Sequence, residues 1–192
     1  MPWESTALQQ DFPAEPIGDR RLVRLVERHL AQVWRTLRRL GLDEGDADDA
    51  AQHVMLLVAR RLGDIAPESE RAFVMATTVR VAAGARRKRE RRREIMDDDL
   101  MRSLGQSGHN PEELLEQRQA RELLDEVLGE LPLELSTVLV LFEFEQLSLL
   151  EIGGTLGLKL GTVSSRLRRA RAEFDRHVKR WEARSRRLGG TR

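Results

Sequence analysis

Between Leu22 and Leu40 apolar side chains return every three or four residues: Leu22, Val26, Leu30, Val33, Leu37 and Leu40, with Leu25 and Trp34 widening the stripe. That spacing follows the turn of an α-helix and excludes a strand, whose faces alternate at every second residue. Such a helix hides only one side, so it needs neighbours with stripes of their own. They follow at once. Val54, Leu57, Val58 and Leu62 mark a second helix, and Phe73 and Val74 open a third that runs into an arginine block. Gly41 fits the stop of the first helix, and Asp46 is placed to cap the second with Asp49 in its first turn. Gly63 to Glu70, containing Pro67, reads as a loop. Residues 20–96 are therefore expected to form one small bundle, preceded by a disordered tail, residues 1–19, with three prolines and no apolar period.

The second half repeats the logic after a break. Residues 97–110 hold three consecutive Asp and two Gly, the best linker candidate in the chain. Asn110, Pro111, Glu112 and Glu113 then read as a helix start, with Pro at the first helical position and acids at the positive helix end. Leu114, Leu115, Leu123, Leu124, Val127 and Leu128 belong to that helix, which should stop before Pro132. A further helix is expected over about Leu133 to Phe144, and Ser148 to Glu151 is a capping-box sequence opening a short one through Leu156. A long basic helix follows, from about Gly161 to Trp181. The reading is all-α: two small helical domains, 20–96 and 111–183, joined by a flexible linker, with a basic tail at 184–192.

Charge shows what such a protein meets. Lys and Arg number 33 against 32 Asp and Glu, a net of +1 that by itself points to no partner. Segment by segment the balance separates. Arg80 to Arg93 has eight basic residues against Glu90, Asn110 to Glu145 has ten acids against Arg118 and Arg121, and Lys159 to Arg192 has twelve basic residues against three acids. Two cationic blocks flanking an acidic one suit a polyanion gripped at two separate footprints. Other functions find no footing. There is no Cys for a disulfide, thiolate metal site or nucleophile. His29, His53, His109 and His177 lack metal spacing, the carboxylates form no catalytic pair, and no Gly-rich phosphate loop follows a strand. No enzyme, metal or cofactor is expected. The apolar runs are too short to cross a bilayer, and the acidic N-terminus has no Lys or Arg before Arg20, unlike a signal peptide, so a cytoplasmic protein is expected.

Residues 148–170, SLLEIGGTLGLKLGTVSSRLRRA, carry the sharpest signal. Two short helices about a Gly turn, the second rich in small polar and basic residues, describe a helix-turn-helix. Gly153 and Gly154 would let the helices cross closely, and Gly157 would take the positive φ of the turn. Val163, Leu167 and Ala170 fall on one face of the second helix. Thr162, Ser165, Arg166 and Arg169 fall on others, free to reach base edges and phosphates. A solvated helical hairpin is the plainer alternative, and the combination of cap, turn and faces argues against it.

These residues resemble the extracytoplasmic-function (ECF) sigma factors of the sigma-70 family. Leu131-Pro132, Glu151-Ile152, Leu156-Gly157, Gly161-Thr162-Val163 and Ser165-Arg166-Leu167 carry the likeness in the second half. Asp46-Ala47-Asp48-Asp49-Ala50, Gln52 and Val54 carry it in the first. The resemblance implies a protein that binds core RNA polymerase, through the β′ clamp region and the β flap, and steers it to promoter DNA. Lys159, Thr162, Ser165, Arg166 and Arg169 would read the −35 element as duplex, Lys159 beside a phosphate. Arg80, Arg86, Arg87, Lys88 and Arg89, in the block reaching Arg93, would line a channel for the separated −10 strand, one of whose bases would enter a pocket at Gly63–Glu70. The plainer reading of the block is a solvated helix end. Asp48, Asp49 and Gln52 would dock on the polymerase, although compensation of the helix dipole accounts for Asp46 and Asp49 equally well. An anti-sigma partner is a family expectation.

Several positions depart from the family. His53 stands where an acid is common, Phe73 replaces a Trp, Gly153 replaces an Ala, and Thr77–Gly84 lacks the usual Arg-Asn and later Asp. These bear on the −10 preference. The alternatives are a stand-alone helix-turn-helix regulator binding operators as a dimer, and an interaction protein using its acidic middle segment.

Overall fold

The computed structural model describes residues 17–95 and 113–189, and all regular structure there is helical. The expected linker, most of the tail before Arg20 and the cap at Asn110 lie outside the described residues.

α1 (Ile17–Arg39) starts ahead of the predicted Arg20. Its stripe buries Leu25, Val33, Leu37 and Leu40, but Leu30 is exposed, while His29 and Thr36 take buried places on the same helix. Gly41, at φ +90°, ends α1: its N–H donates to the Arg38 carbonyl at 2.9 Å and Leu42 N–H donates back to Leu37 at 3.2 Å. That pair of bonds needs a left-handed residue where Gly41 stands. α2 (Glu44–Arg61) is capped by Asp43, not by Asp46 as the sequence suggested. The Asp43 carboxylate accepts from Asp46 N–H at 2.8 Å, so the helix begins a turn earlier and Asp46 becomes the capped residue. Two 3₁₀ turns, Leu62–Asp64 and Pro67–Ser69, form the expected loop and lead into α3 (Glu70–Ile95), whose Val74, Met75 and Ala82 are buried.

In the second half α4 (Glu113–Glu130) stops before Pro132 and is followed by α5 (Leu133–Glu143), α6 (Leu149–Leu156) and α7 (Leu160–Gly189). α5 is the most buried element, from Leu135 through Leu141. α7 continues eight residues beyond the predicted end at Trp181, whose side chain is itself exposed.

The arrangement of the two halves was not legible in the stripes. α1 packs on α4 and α5 as well as on α2 and α3, and α6 packs on α3. Buried residues from Leu25 to Ala82 and from Val127 to Ala170 form one continuous core.

Candidate nucleic-acid interface

The helix-turn-helix is built from short-range rules. Ser148 Oγ accepts from Glu151 N–H at 3.3 Å, and the Glu151 carboxylate accepts from Ser148 N–H at 2.7 Å, closing the capping box. The Ser148 hydroxyl, which donates to the same carboxylate at 2.7 Å, and the Ser148 N–H hold the Glu151 carboxyl below its ordinary pKa. Gly157 ends α6 at φ +66°, as the turn requires. Gly153 is the crossing point: a Cβ there would lie 2.9 Å from the Leu158 carbonyl oxygen. Gly154 is exposed and meets nothing, so only one of the two glycines serves the crossing.

α7 begins over Lys159, whose carbonyl accepts from Thr162 N–H at 2.9 Å and Val163 N–H at 3.1 Å. Val163, Leu167 and Ala170 are buried as their spacing predicted. Burying Val163 and Leu167 contributes on the order of 1.5–3 kcal/mol each and fixes the rotation of the helix. Lys159, Ser165 and Arg169 are consequently exposed, with Thr162 and Arg166 half-buried beside them. Ser165 Oγ rests on the Thr162 carbonyl at 3.0 Å. Hydroxyls and guanidiniums displayed on one face of a helix can reach base edges and phosphates together. Arg171, on the flank, is held by Glu143 at 2.6 Å and lies over Phe142.

The basic block of α3 divides. Arg80, Arg87 and Lys88 are exposed. Arg86 and Arg89 are half-buried and turned onto helix ends: Arg86 donates to the carbonyls of Leu40 at 3.4 Å and Leu131 at 3.2 Å, and Arg89 donates to Gly41 at 3.1 Å. Carbonyls at helix C-termini attract cations. Nothing local in the sequence separates these two arginines from their neighbours, since the carbonyls come from elsewhere in the chain.

On α2, Asp48, Asp49, Gln52 and His53 are all exposed. Trp34, read from the stripe as core, is half-buried, and its indole N–H donates to Asp48 at 2.7 Å. Sequence reasoning missed Arg21. Its guanidinium pairs with Glu70 at 2.7 Å and donates to the carbonyls of Leu62 at 3.1 Å and Ile65 at 2.6 Å, pinning the 62–70 turns to α1. It also missed Glu145, a buried acid that accepts from Thr36 Oγ1 at 2.7 Å and from Gln32. No group of acids and histidines among the described residues could hold a metal, and no described helix is long and apolar enough to cross a membrane.

The four-helix second half thus displays the helix-turn-helix expected of residues 148–170, set against a three-helix bundle whose α2 exposes Asp48 and Asp49. Comparison with known proteins agrees. Residues 25–92 match sigma-70 region 2 and residues 121–174 match sigma-70 region 4. Over 151 residues the chain is 33% identical to the ECF RNA polymerase sigma factor SigE of Mycolicibacterium smegmatis, an overlap of 78% of this chain and 58% of that protein. The match thus spans less than two thirds of that relative. CnrH in complex with the cytosolic domain of CnrY superposes at a TM-score of 0.64 with 23% identity, covering 84% of this chain and 89% of that one. The sigma factor RpoE in complex with the anti-sigma factor NepR, from Bartonella quintana, superposes at 0.63 with 17% identity, covering 84% and 96%. The chain belongs to the sigma-70 family, in its extracytoplasmic-function group.

Proposed function

We propose that this protein binds core RNA polymerase and directs it to promoters, and that it performs no enzymatic chemistry of its own. The observation that carries the reading is the α7 face, where buried Val163, Leu167 and Ala170 turn Ser165 and Arg169 outward beside Thr162 and Arg166. Lys159, Thr162, Ser165, Arg166 and Arg169 contact the −35 duplex, with the arginines divided between base edges and phosphates. Arg80, Arg87 and Lys88 track the −10 strand, joined by Arg86 and Arg89 once these leave the carbonyls they hold. Asp48, Asp49 and Gln52 on the exposed side of α2 dock on a basic surface of the β′ subunit, with Asp48 oriented by Trp34. The protein works in the cytoplasm, where polymerase is, and an anti-sigma protein is its expected inhibitor, by analogy with the relative found bound to NepR.

Purified core polymerase with and without this chain, given a library of promoter fragments, tests the proposal. Specific transcripts that appear only when both are present are expected. If no start site and no stable complex emerge, while the chain alone shifts a duplex operator as a dimer, the stand-alone regulator replaces it.

A further inference from the structure

We propose that the outward face of α1 is a further nucleic-acid surface, which holds the separated promoter strand where it leaves the −10 element. The proposal rests on the promoter-recognition reading above and extends it to a helix which that reading leaves unused. From Arg20 to Arg39 the chain has seven arginines against one acid, Glu27. Three of the arginines are committed within the protein: Arg21 to Glu70 and the carbonyls of Leu62 and Ile65, Arg38 to the Leu42 carbonyl, and Arg39 to Glu145. The other four, Arg20, Arg24, Arg28 and Arg35, are exposed, and none makes an ion pair or hydrogen bond among the described residues.

Their spacing makes one row. Steps of four, four and seven residues are close to whole helical turns, so the four arginines follow one side of α1 over about 22 Å. Buried Leu25, His29, Val33 and Thr36 hold the opposite side and fix the rotation of the helix. A second row runs beside the first. Val23 and Leu30, seven residues apart, are 50% and 39% exposed, and Trp34, four residues further on, is half-buried. A cationic rail flanked by an apolar and aromatic one is the layout that holds a single strand, with phosphates on the arginines and base faces on the apolar side. A duplex, whose bases are stacked inside, would use only the first rail. Glu27 is exposed between the rows and is the one opposing charge there.

The row also begins where a separated strand would arrive. Arg21, next to Arg20, is bonded to Leu62, Ile65 and Glu70, so the start of α1 lies against the turns that the promoter reading gives to the flipped base. α3 leaves the same turns and carries exposed Arg80, Arg87 and Lys88. Two cationic helices thus start from one set of turns. α3 serves the −10 element itself, and α1 receives the strand beyond it, which opening of the duplex has also unpaired. Contacts of this kind are blind to sequence, so α1 adds grip and leaves the choice of promoter to the turns and to α7.

Dye-labelled oligothymidine, titrated with the full chain at several salt concentrations, tests the surface directly. The parent should bind it with an affinity that falls as salt rises. The combined variant Arg20→Gln, Arg24→Gln, Arg28→Gln and Arg35→Gln should lower the slope of log affinity against log salt by about 2.8, at about 0.7 for each phosphate. Val23→Ser with Leu30→Ser should weaken binding about fivefold and leave that slope unchanged. All six positions are exposed, so helical circular dichroism should match the parent in both variants. A parent that ignores oligothymidine, or an arginine variant with an unchanged slope, overturns the proposal. Polyglutamate bound as tightly through the same four arginines would assign the row to an acidic protein and overturn it too. With core polymerase, a forked promoter whose single strand runs past the −10 element should be held more tightly than one cut at that element, and the arginine variant should erase the difference. A difference that survives in the variant, or a variant that no longer joins polymerase, overturns the placement of the strand on α1. A parent that binds oligothymidine through the arginine row yet forms no complex with polymerase sustains the surface and defeats the promoter-recognition reading instead.

Discussion

The two basic blocks are alike in composition and differ in what their side chains hold. On α7 Arg169 stands clear, with Arg166 half-buried beside it, because three apolar neighbours are buried behind them. On α3 the arginines run past the last buried residue of the helix, Ala82, and two of them spend their donors on carbonyls of Leu40, Gly41 and Leu131. A cationic run therefore says where charge is, and the backbone groups brought beside it decide what the charge does. On α3 part of the partner is already inside the protein.

The sharpest way to break this comparison is to remove the feature that orients α7. Val163→Asp places an unpaired carboxylate in a fully buried site and should cost more than about 4 kcal/mol, melting the helix-turn-helix in thermal denaturation. The arginines then divide by readout. Arg86→Ala should lower the stability of the free protein by about 1.5–3 kcal/mol, the range for hydrogen bonds to a charged group, as seen in urea unfolding. Arg169→Ala should leave unfolding unchanged but weaken promoter binding by about 1–3 kcal/mol if it reads a base, or reduce the salt slope by about one if it holds a phosphate. Equal stability losses in the two variants would dissolve the distinction. Arg21→Ala sharpens the picture for the first half. Losing one ion pair and two carbonyl bonds should cost about 2 kcal/mol, with faster hydrogen exchange confined to residues 62–70.

What the sequence showed was what its neighbours in the chain determine. The capping box at Ser148, the stop at Gly157, the buried face of α7 and the break before Pro132 each follow from residues within four or five positions of one another. The cap of α2 was misplaced because Asp43 and Asp46 are both good capping residues three apart, and only the extended backbone at Asp43 selects between them. Glu145 reads from the sequence as one more of the ten acids between Asn110 and Glu145. Its burial depends on Gln32, Thr36 and Arg39, more than a hundred residues earlier, and no period or motif announces that. Trp34 and Leu30 show the limit of the stripe itself: a helix flanked on several sides buries His29 and Thr36 and leaves an apolar position in water.

The smallest expected effect is also the most local. The Glu151 carboxyl accepts from the Ser148 hydroxyl and backbone N–H, which hold its pKa below the ordinary value of about 4.3. A carboxyl whose pKa is lower folded than unfolded stabilises the fold above the unfolded value, and that contribution disappears as pH falls through the folded one. The fully exposed cap should thus lose its charged contribution below about pH 4. Glu151→Gln, which keeps an acceptor without the charge, should flatten this part of the acid unfolding profile and leave stability near neutral pH only slightly lower. If the variant and the parent lose stability in parallel across that range, the capping carboxylate is not the titrating group.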